Sequence, residues 1–166
     1  AGDDLQIYHD GSNSYIDEGG TGNLLIRGSE VVLGNAAKKG VRVIADGAVE
    51  LRHNDSKKIE TNTNGVAVTG AATGTLTTDN DGSFDMAASN NFKCTPSGNF
   101  TLTFTNIVSQ SGNILLVNSG GHTVSAHTNS KVDANLLATV STAGTYLISY
   151  FSDGTNVYLT NSAAYT

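Results

Sequence analysis

The chain has 166 residues, a formal charge of −6 and a single cysteine, Cys94, enough length for one domain or two small ones. The acidic balance argues against nucleic acid, whose binders usually carry a basic patch, and one cysteine excludes an internal disulfide framework. No apolar run reaches membrane-spanning length, so membrane insertion is not expected. The chain opens on Ala1 inside a patterned segment, without a signal-peptide pattern, and reads as part of a longer protein.

Gly, Ser, Thr and Asn make up more than a third of the sequence, while Trp is absent and Pro occurs once. Thr and the β-branched residues fit a pleated surface, and Gly and Asn supply the positive-φ positions of tight turns. The expectation is therefore an all-β fold of many short strands. No window of ten or more residues carries helical apolar spacing; the nearest, residues 133–140, is too short.

An internal repeat opens the chain. Leu5-Gln-Ile-Tyr-His-Asp-Gly-Ser12 aligns with Val49-Glu-Leu-Arg-His-Asn-Asp-Ser56, and Gly22-Asn-Leu-Leu-Ile-Arg-Gly28 with Asn64-Gly-Val-Ala-Val-Thr-Gly70. Each copy reads as strand, turn, strand, Gly-rich turn and third short strand. Val31-Val-Leu33 and Val41-Arg-Val-Ile44 lie between the copies and read as two further strands. Leu5 and Ile7, Val49 and Leu51, and Val66 and Val68 alternate with polar residues, so one face of each strand seeks burial. So thin a unit needs a neighbour to cover that face. Three copies closing around a shared axis would do so, with a dimer as the alternative, and the expected partner is the chain itself, as a homotrimer.

Residues 1–76 thus read as a repetitive β shaft and residues 77–166 as a separate C-terminal head. In the head, Asn99-Phe-Thr-Leu-Thr-Phe-Thr105 places Phe100, Leu102 and Phe104 on one side. Strands are also expected at 114–117, 122–126, 145–151 and 156–160, the last two joined by the hairpin signal Ser152-Asp-Gly-Thr155. About eight strands in this length suggest a β-sandwich or jelly roll. Residues 83–166 hold only five charged residues, Asp85, Lys93, Lys131, Asp133 and Asp153, so the surface there suits neutral ligands such as sugars.

Asp4-Leu-Gln-Ile-Tyr-His-Asp-Gly-Ser12, Asp55-Ser-Lys-Lys-Ile-Glu-Thr61 and Asn64-Gly-Val-Ala-Val-Thr-Gly70 resemble the shaft repeats of tail-fibre and virion structural proteins of marine bacteriophages. Phe100 to Thr105, Gln110 to Leu116 and the Tyr150 to Tyr158 hairpin resemble a β domain that ends such fibres. The resemblance implies a homotrimeric fibre of the virion whose tip attaches to a host cell-surface glycan or outer-membrane receptor, with other tail proteins as further partners. It names no receptor. A purely structural trimerisation cap, a capsule-degrading tailspike hydrolase and a bacterial surface filament are the alternatives.

The chemical signals are few. Asp79-Asn-Asp-Gly-Ser-Phe-Asp85 has the beginnings of a calcium loop, yet Asn90 stands where an EF-hand needs Glu, so a plain turn is expected. Asp79 and Asp81 remain metal candidates, as do His9 and His53, equivalent repeat positions that could converge on a three-fold axis. No pair of carboxyl groups is placed for glycoside cleavage, no Ser–His–Asp order stands out, and neither an enzyme nor a cofactor is expected. Receptor contacts are expected in loops on a rigid sheet, with His122, His127, Asn129, Asp153, Asn156 and Tyr158 as candidates.

Overall fold

A computed structural model describes residues 5–35, 37–133 and 135–165; Asp4, where the first shaft-like motif begins, lies outside them. Strand accounts for 53% of the chain and helix for 3%, so the fold is all-β, in several sheets with no barrel closure. Two compact units divide it, Ala1–Ala72 and Thr73–Thr166.

The first unit begins with an antiparallel hairpin of β1 (Leu5–His9) and β2 (Ser14–Glu18). It continues as a five-stranded antiparallel meander of β3 (Glu30–Gly34), β4 (Lys39–Ile44), β5 (Val49–His53), β6 (Ser56–Asn62) and β7 (Gly65–Val68). The β5–β6 turn puts Asn54 and Asp55 at positive φ, where their short polar side chains are tolerated. The third strand expected over 24–26 does not form. Its counterpart β7 follows β6 through a tight turn and pairs with it, whereas β2 is followed by the longer Gly19-Gly-Thr-Gly22 stretch. Leu24, Leu25 and Ile26 stay exposed.

Register makes the meander two-faced. Leu33, Val41, Leu51, Ile59 and Val68 are successive cross-strand neighbours, and Val31, Val43 and Val49 form a second row beside them. Val32, Arg42, Glu50, Glu60 and Ala67 make the matching row on the opposite face. There Arg42 Nε donates to Glu30 at 2.8 Å, Arg52 Nε to Glu50 at 2.9 Å, and Lys57 pairs with Glu60. The burial is inverted. Glu50 is 6% exposed beneath its arginines, while Leu33 is 58% and Leu51 44% exposed on the apolar face.

The second unit holds β8 (Leu76–Thr78), β9 (Ser83–Asp85), β10 (Asn91–Cys94), β11 (Phe100–Thr105), β12 (Ser109–Asn118), β13 (Val124–Ala126), β14 (Ser130–Val132), helix α1 (Leu136–Val140), β15 (Gly144–Asp153) and β16 (Val157–Asn161). Leu76 therefore pairs within this unit, through β8 and β10. The six-stranded sheet runs β14-β16-β15-β12-β10-β8 and the three-stranded one β13-β11-β9. From β8 to β13 successive strands alternate between the sheets, so β8, β10 and β12 pair in parallel, as do β9, β11 and β13. A parallel pair needs a crossover, usually a helix. Here a strand of the facing sheet serves as one. The antiparallel meander that hairpin signals suggest is confined to β12-β15-β16.

Between the sheets lies one apolar core. Phe100, Leu102 and Phe104 of β11 point into it, as do Phe92, Ile114, Leu116, Tyr146, Ile148 and Tyr150 from the larger sheet. Ring centroids of Phe84 and Phe92 are 5.2 Å apart, as are those of Phe104 and Tyr150, tying one sheet to the other. Each buried aromatic or aliphatic side chain contributes about 1.5–3 kcal/mol. Asn118 is fully buried yet satisfied: its Nδ2 donates to the His122 and Val140 carbonyls and its Oδ1 accepts the His122 N–H, each at 2.8 Å.

Gly112 sits where β12 crosses closest to its neighbours. A Cβ there would lie 1.7 Å from the Asn90 carbonyl oxygen and 2.6 Å from the Tyr150 hydroxyl. Gly112→Ala should destabilise the second unit by about 1–3 kcal/mol, the usual range for overpacking, read from urea unfolding by circular dichroism. In the first unit, hydrogen bonding from Arg42 and then Lys39 holds the Glu30 carboxyl down at about 2, and bonding from Arg52 depresses Glu50. Depressed acids contribute stability above their ordinary value of 4.5 and lose it as pH falls through the folded value. Amide protection in the meander should therefore fade between pH 4.5 and about 2, and Arg42→Ala should move that loss to higher pH.

Candidate binding site on the outer sheet face

The strongest surface feature of the second unit grows from the β15–β16 hairpin. Asp153 Oδ1 accepts the N–H groups of Thr155 and Asn156, both at 2.8 Å, and Gly154 takes φ +92°, which closes the turn. That turn fixes the register, pairing Phe151 with Tyr158 and Ser149 with Thr160. Because strand side chains alternate, Tyr150, Ser152, Val157 and Leu159 go inward and Phe151 and Tyr158 go outward. These two rings are 57% and 46% exposed. On the far side, β14 sets Lys131 beside Tyr158.

The result is an open depression of about 500 Å³ with Phe151 and Tyr158 as its aromatic floor and Lys131, Asp133, Ser149 and Thr160 around it. Tyr158 and its two charged neighbours are held by hydrogen bonds. The Tyr158 hydroxyl donates to Asp153 Oδ2 at 3.2 Å, and Lys131 Nζ donates to the Thr128 carbonyl at 2.7 Å. Asp133 Oδ1 accepts the N–H groups of Asn135 (2.8 Å) and Leu136 (3.0 Å), ahead of α1. Backbone N–H groups of Asn156, then Thr155, hold the Asp153 carboxyl below the usual carboxylate range, and Asp153 in turn raises the Tyr158 hydroxyl. Such a surface, flat and apolar with hydroxyls at its edge, can stack against the C–H face of a pyranose and bond its hydroxyl groups.

The residues singled out in the sequence fall in different places. Tyr158 lines the depression, Asp153 clamps it, and Asn156 belongs to the same turn, accepting the Asp153 N–H at 3.2 Å. Asn129 adjoins the start of β16, its carbonyl accepting the Val157 N–H at 2.8 Å, and the His127 ring accepts the Asn129 N–H at 3.4 Å. His122 precedes β13 and His127 follows it, and Asn118 holds His122 by its backbone; neither histidine lines the depression. Phe151, Ser149, Thr160 and Asp133 were not among the candidates. Counting outward from the Asp153 turn pairs residue 151 with 158, and Phe151 has the opposite parity to core residue Tyr150, so the sequence did carry the signal for Phe151.

The metal candidates are engaged locally. His9 Nδ1 lies 3.2 Å from Ser14 Oγ, and His53 Nε2 lies 3.3 Å from the Asn54 amide. Asp79 accepts the Asp81 N–H at 3.2 Å and Asp81 accepts that of Ser83 at 2.8 Å, forming a turn; burial raises the Asp79 carboxyl and its bond to Asp79 lowers that of Asp81. Among the described residues no group of three or more His, Cys, Asp or Glu side chains is gathered for a metal. Cys94 is fully buried, and burial, followed by Asp79 and Asp81, pushes its thiol up to about 12, so it is no thiolate at neutral pH.

The depressed Asp153 carboxyl makes the floor acid-sensitive. Its contribution is complete above the ordinary aspartate value of 3.8 and is lost as pH falls through the folded one. The Thr155 and Asn156 amides should lose hydrogen-exchange protection over that window, and Asp153→Asn should abolish the pH dependence. No family model matches the chain, and no curated protein or solved structure matches it.

Proposed function

We propose that this chain is the distal, receptor-binding part of a bacteriophage tail fibre, attaching the virion to a neutral glycan on the host cell surface. The observation that carries the reading is the Phe151–Tyr158 pair: two large rings kept in water on the outer face of a sheet, flanked by the hydroxyls of Ser149 and Thr160 and by Lys131 and Asp133. Rings placed only to stabilise the fold would gain more by being buried. The charge-poor second half supports a neutral ligand rather than a charged one.

Assembly belongs to the same proposal. The first unit leaves eight aliphatic residues in two adjacent rows on one face of its meander, and further copies of the chain, three around one axis, would cover them. Each copy brings the same weak site, and several sites on one particle turn weak contacts into firm attachment. The fibre would stand outside the cell as part of the virion, joined to other tail proteins. Binding without hydrolysis fits the two carboxylates nearest the rings, since Asp133 and Asp153 are each tied to two backbone N–H groups.

A glycan array probed with the wild-type chain and with Phe151→Ala tests this reading. The expected result is binding to a narrow set of neutral glycans, reduced at least about tenfold by the loss of one stacking ring, which corresponds to roughly 1.4 kcal/mol. A chain that binds no glycan, or a folded Phe151→Ala protein that binds as the wild type does, contradicts it. The first outcome is the one a purely structural cap would give.

A further inference from the structure

The β15–β16 turn has a twin in the other unit. Tyr8-His-Asp-Gly-Ser-Asn-Ser-Tyr15 and Phe151-Ser-Asp-Gly-Thr-Asn-Val-Tyr158 share Asp, Gly, Asn and Tyr at identical spacing, with an aromatic residue first and a hydroxyl residue fifth. The geometry repeats bond for bond. Asp10 Oδ1 accepts the Ser12 and Asn13 N–H groups at 2.8 Å, as Asp153 Oδ1 does those of Thr155 and Asn156. The Asp10 N–H donates to the Asn13 carbonyl at 3.1 Å, and the Asp153 N–H to that of Asn156 at 3.2 Å. Gly11 takes φ +97° and Gly154 φ +92°. Finally, the Tyr15 hydroxyl donates to Asp10 Oδ2 at 2.8 Å, the counterpart of Tyr158 on Asp153.

The consequence is the same in both hairpins. Tyr8 pairs with Tyr15 across the strands as Phe151 pairs with Tyr158, so two aromatic rings stand side by side on one hairpin face. In the first hairpin the rings stack, with centroids 4.8 Å apart and planes 15° from parallel, and Tyr8 remains 42% exposed. The opposite face is aliphatic in each case: Leu5, Ile7 and Ile16 behind the tyrosines, Leu159 and Val157 behind the second pair. If copies of the chain cover Leu5, Ile7 and Ile16, the tyrosines are left facing solvent. The turn needs only the Tyr15 hydroxyl. Tyr8 stacks on Tyr15 and still keeps much of its surface in water, open to a ligand.

We propose that the β1–β2 hairpin is a second saccharide-binding platform, in which the Tyr8 ring, backed by Tyr15, stacks a neutral hexopyranose and Asp10 fixes the pair through the Tyr15 hydroxyl. The inference extends the reading of the Phe151–Tyr158 site to the other unit and takes its ligand class from there. Each chain then carries two aromatic platforms, and a fibre displays both kinds along its surface, which multiplies attachment points. Asn13, whose side-chain amide lies 3.5 Å from the Tyr15 hydroxyl, supplies a polar edge.

The test is a titration of the full chain, carrying ¹³C-labelled Tyr and Phe rings, with the methyl glycosides of glucose, galactose, mannose and N-acetylglucosamine at saturating concentration. The Tyr8 and Tyr15 ring signals should move with at least one of them, and Tyr8→Ala should remove the Tyr15 shift while the Phe151 shift persists. If Phe151 and Tyr158 move and the two tyrosines of the first hairpin do not, the second platform is overturned and the attachment reading stands. If only Tyr8 and Tyr15 move, the second platform stands and the Phe151 site falls. If no ring moves, both fall. The wild-type titration decides between these outcomes even if Tyr8→Ala does not fold.

Discussion

Everything in the first unit follows from an inverted sheet. In an isolated antiparallel meander the apolar face ordinarily packs and the polar face is wet. Here Arg42, Arg52, Glu30 and Glu50 form a bonded network in which Glu50 is 6% exposed, while Leu33, Val43, Val49, Leu51, Ile59 and Val68 on the other face stay exposed. Exposed ion pairs stabilise a protein by only about 0–1 kcal/mol each, so this network orders the polar face more than it holds the unit together. Covering the eight aliphatic side chains on the other face would contribute on the order of 10 kcal/mol per chain, an upper estimate from buried area. That imbalance is the physical reason for assigning the missing layer to further copies of the chain.

The second unit has no such debt. Its two sheets enclose their own core, and among the described residues no buried side-chain nitrogen or oxygen lacks a hydrogen-bond partner. A self-sufficient core leaves the outer sheet face free to carry side chains chosen for something other than folding. Phe151 and Tyr158 use that freedom, and the Asp153 turn fixes where they stand. The same turn recurs at Asp10, which suggests one local solution used twice, in units of quite different construction.

Strand content and the alternation of single strands were legible in the sequence. Phe100, Leu102 and Phe104 alternate with threonines, and all three are buried. The 152–155 hairpin is equally local, because an Asp-Gly turn dictates its own pairing. What the sequence does not display is which distant strands become neighbours. The parallel ladders of β8, β10 and β12 depend on β9 and β11 crossing the core between them, and no short-range signal marks that path. Residues 24–26 show the reverse, a strand-like composition that forms no strand. The candidate site was half legible: Tyr158 and Asp153 stand out as hairpin residues, but the outward place of Phe151 emerges only when its parity is counted from the turn.

Attachment, on this account, is distributed between the units. One supplies the assembly and the other the clearest receptor-facing surface, and the link between them is that multiplied weak sites require several chains held together. The claim that the apolar face of the meander is covered by copies of the same chain is tested most directly by measuring molar mass with light scattering across a dilution series. The account predicts three times the 17.1 kDa chain mass, persisting on dilution, and a shift toward monomer when Leu51 is replaced by a charged residue. A folded protein that stays at 17.1 kDa throughout would contradict it.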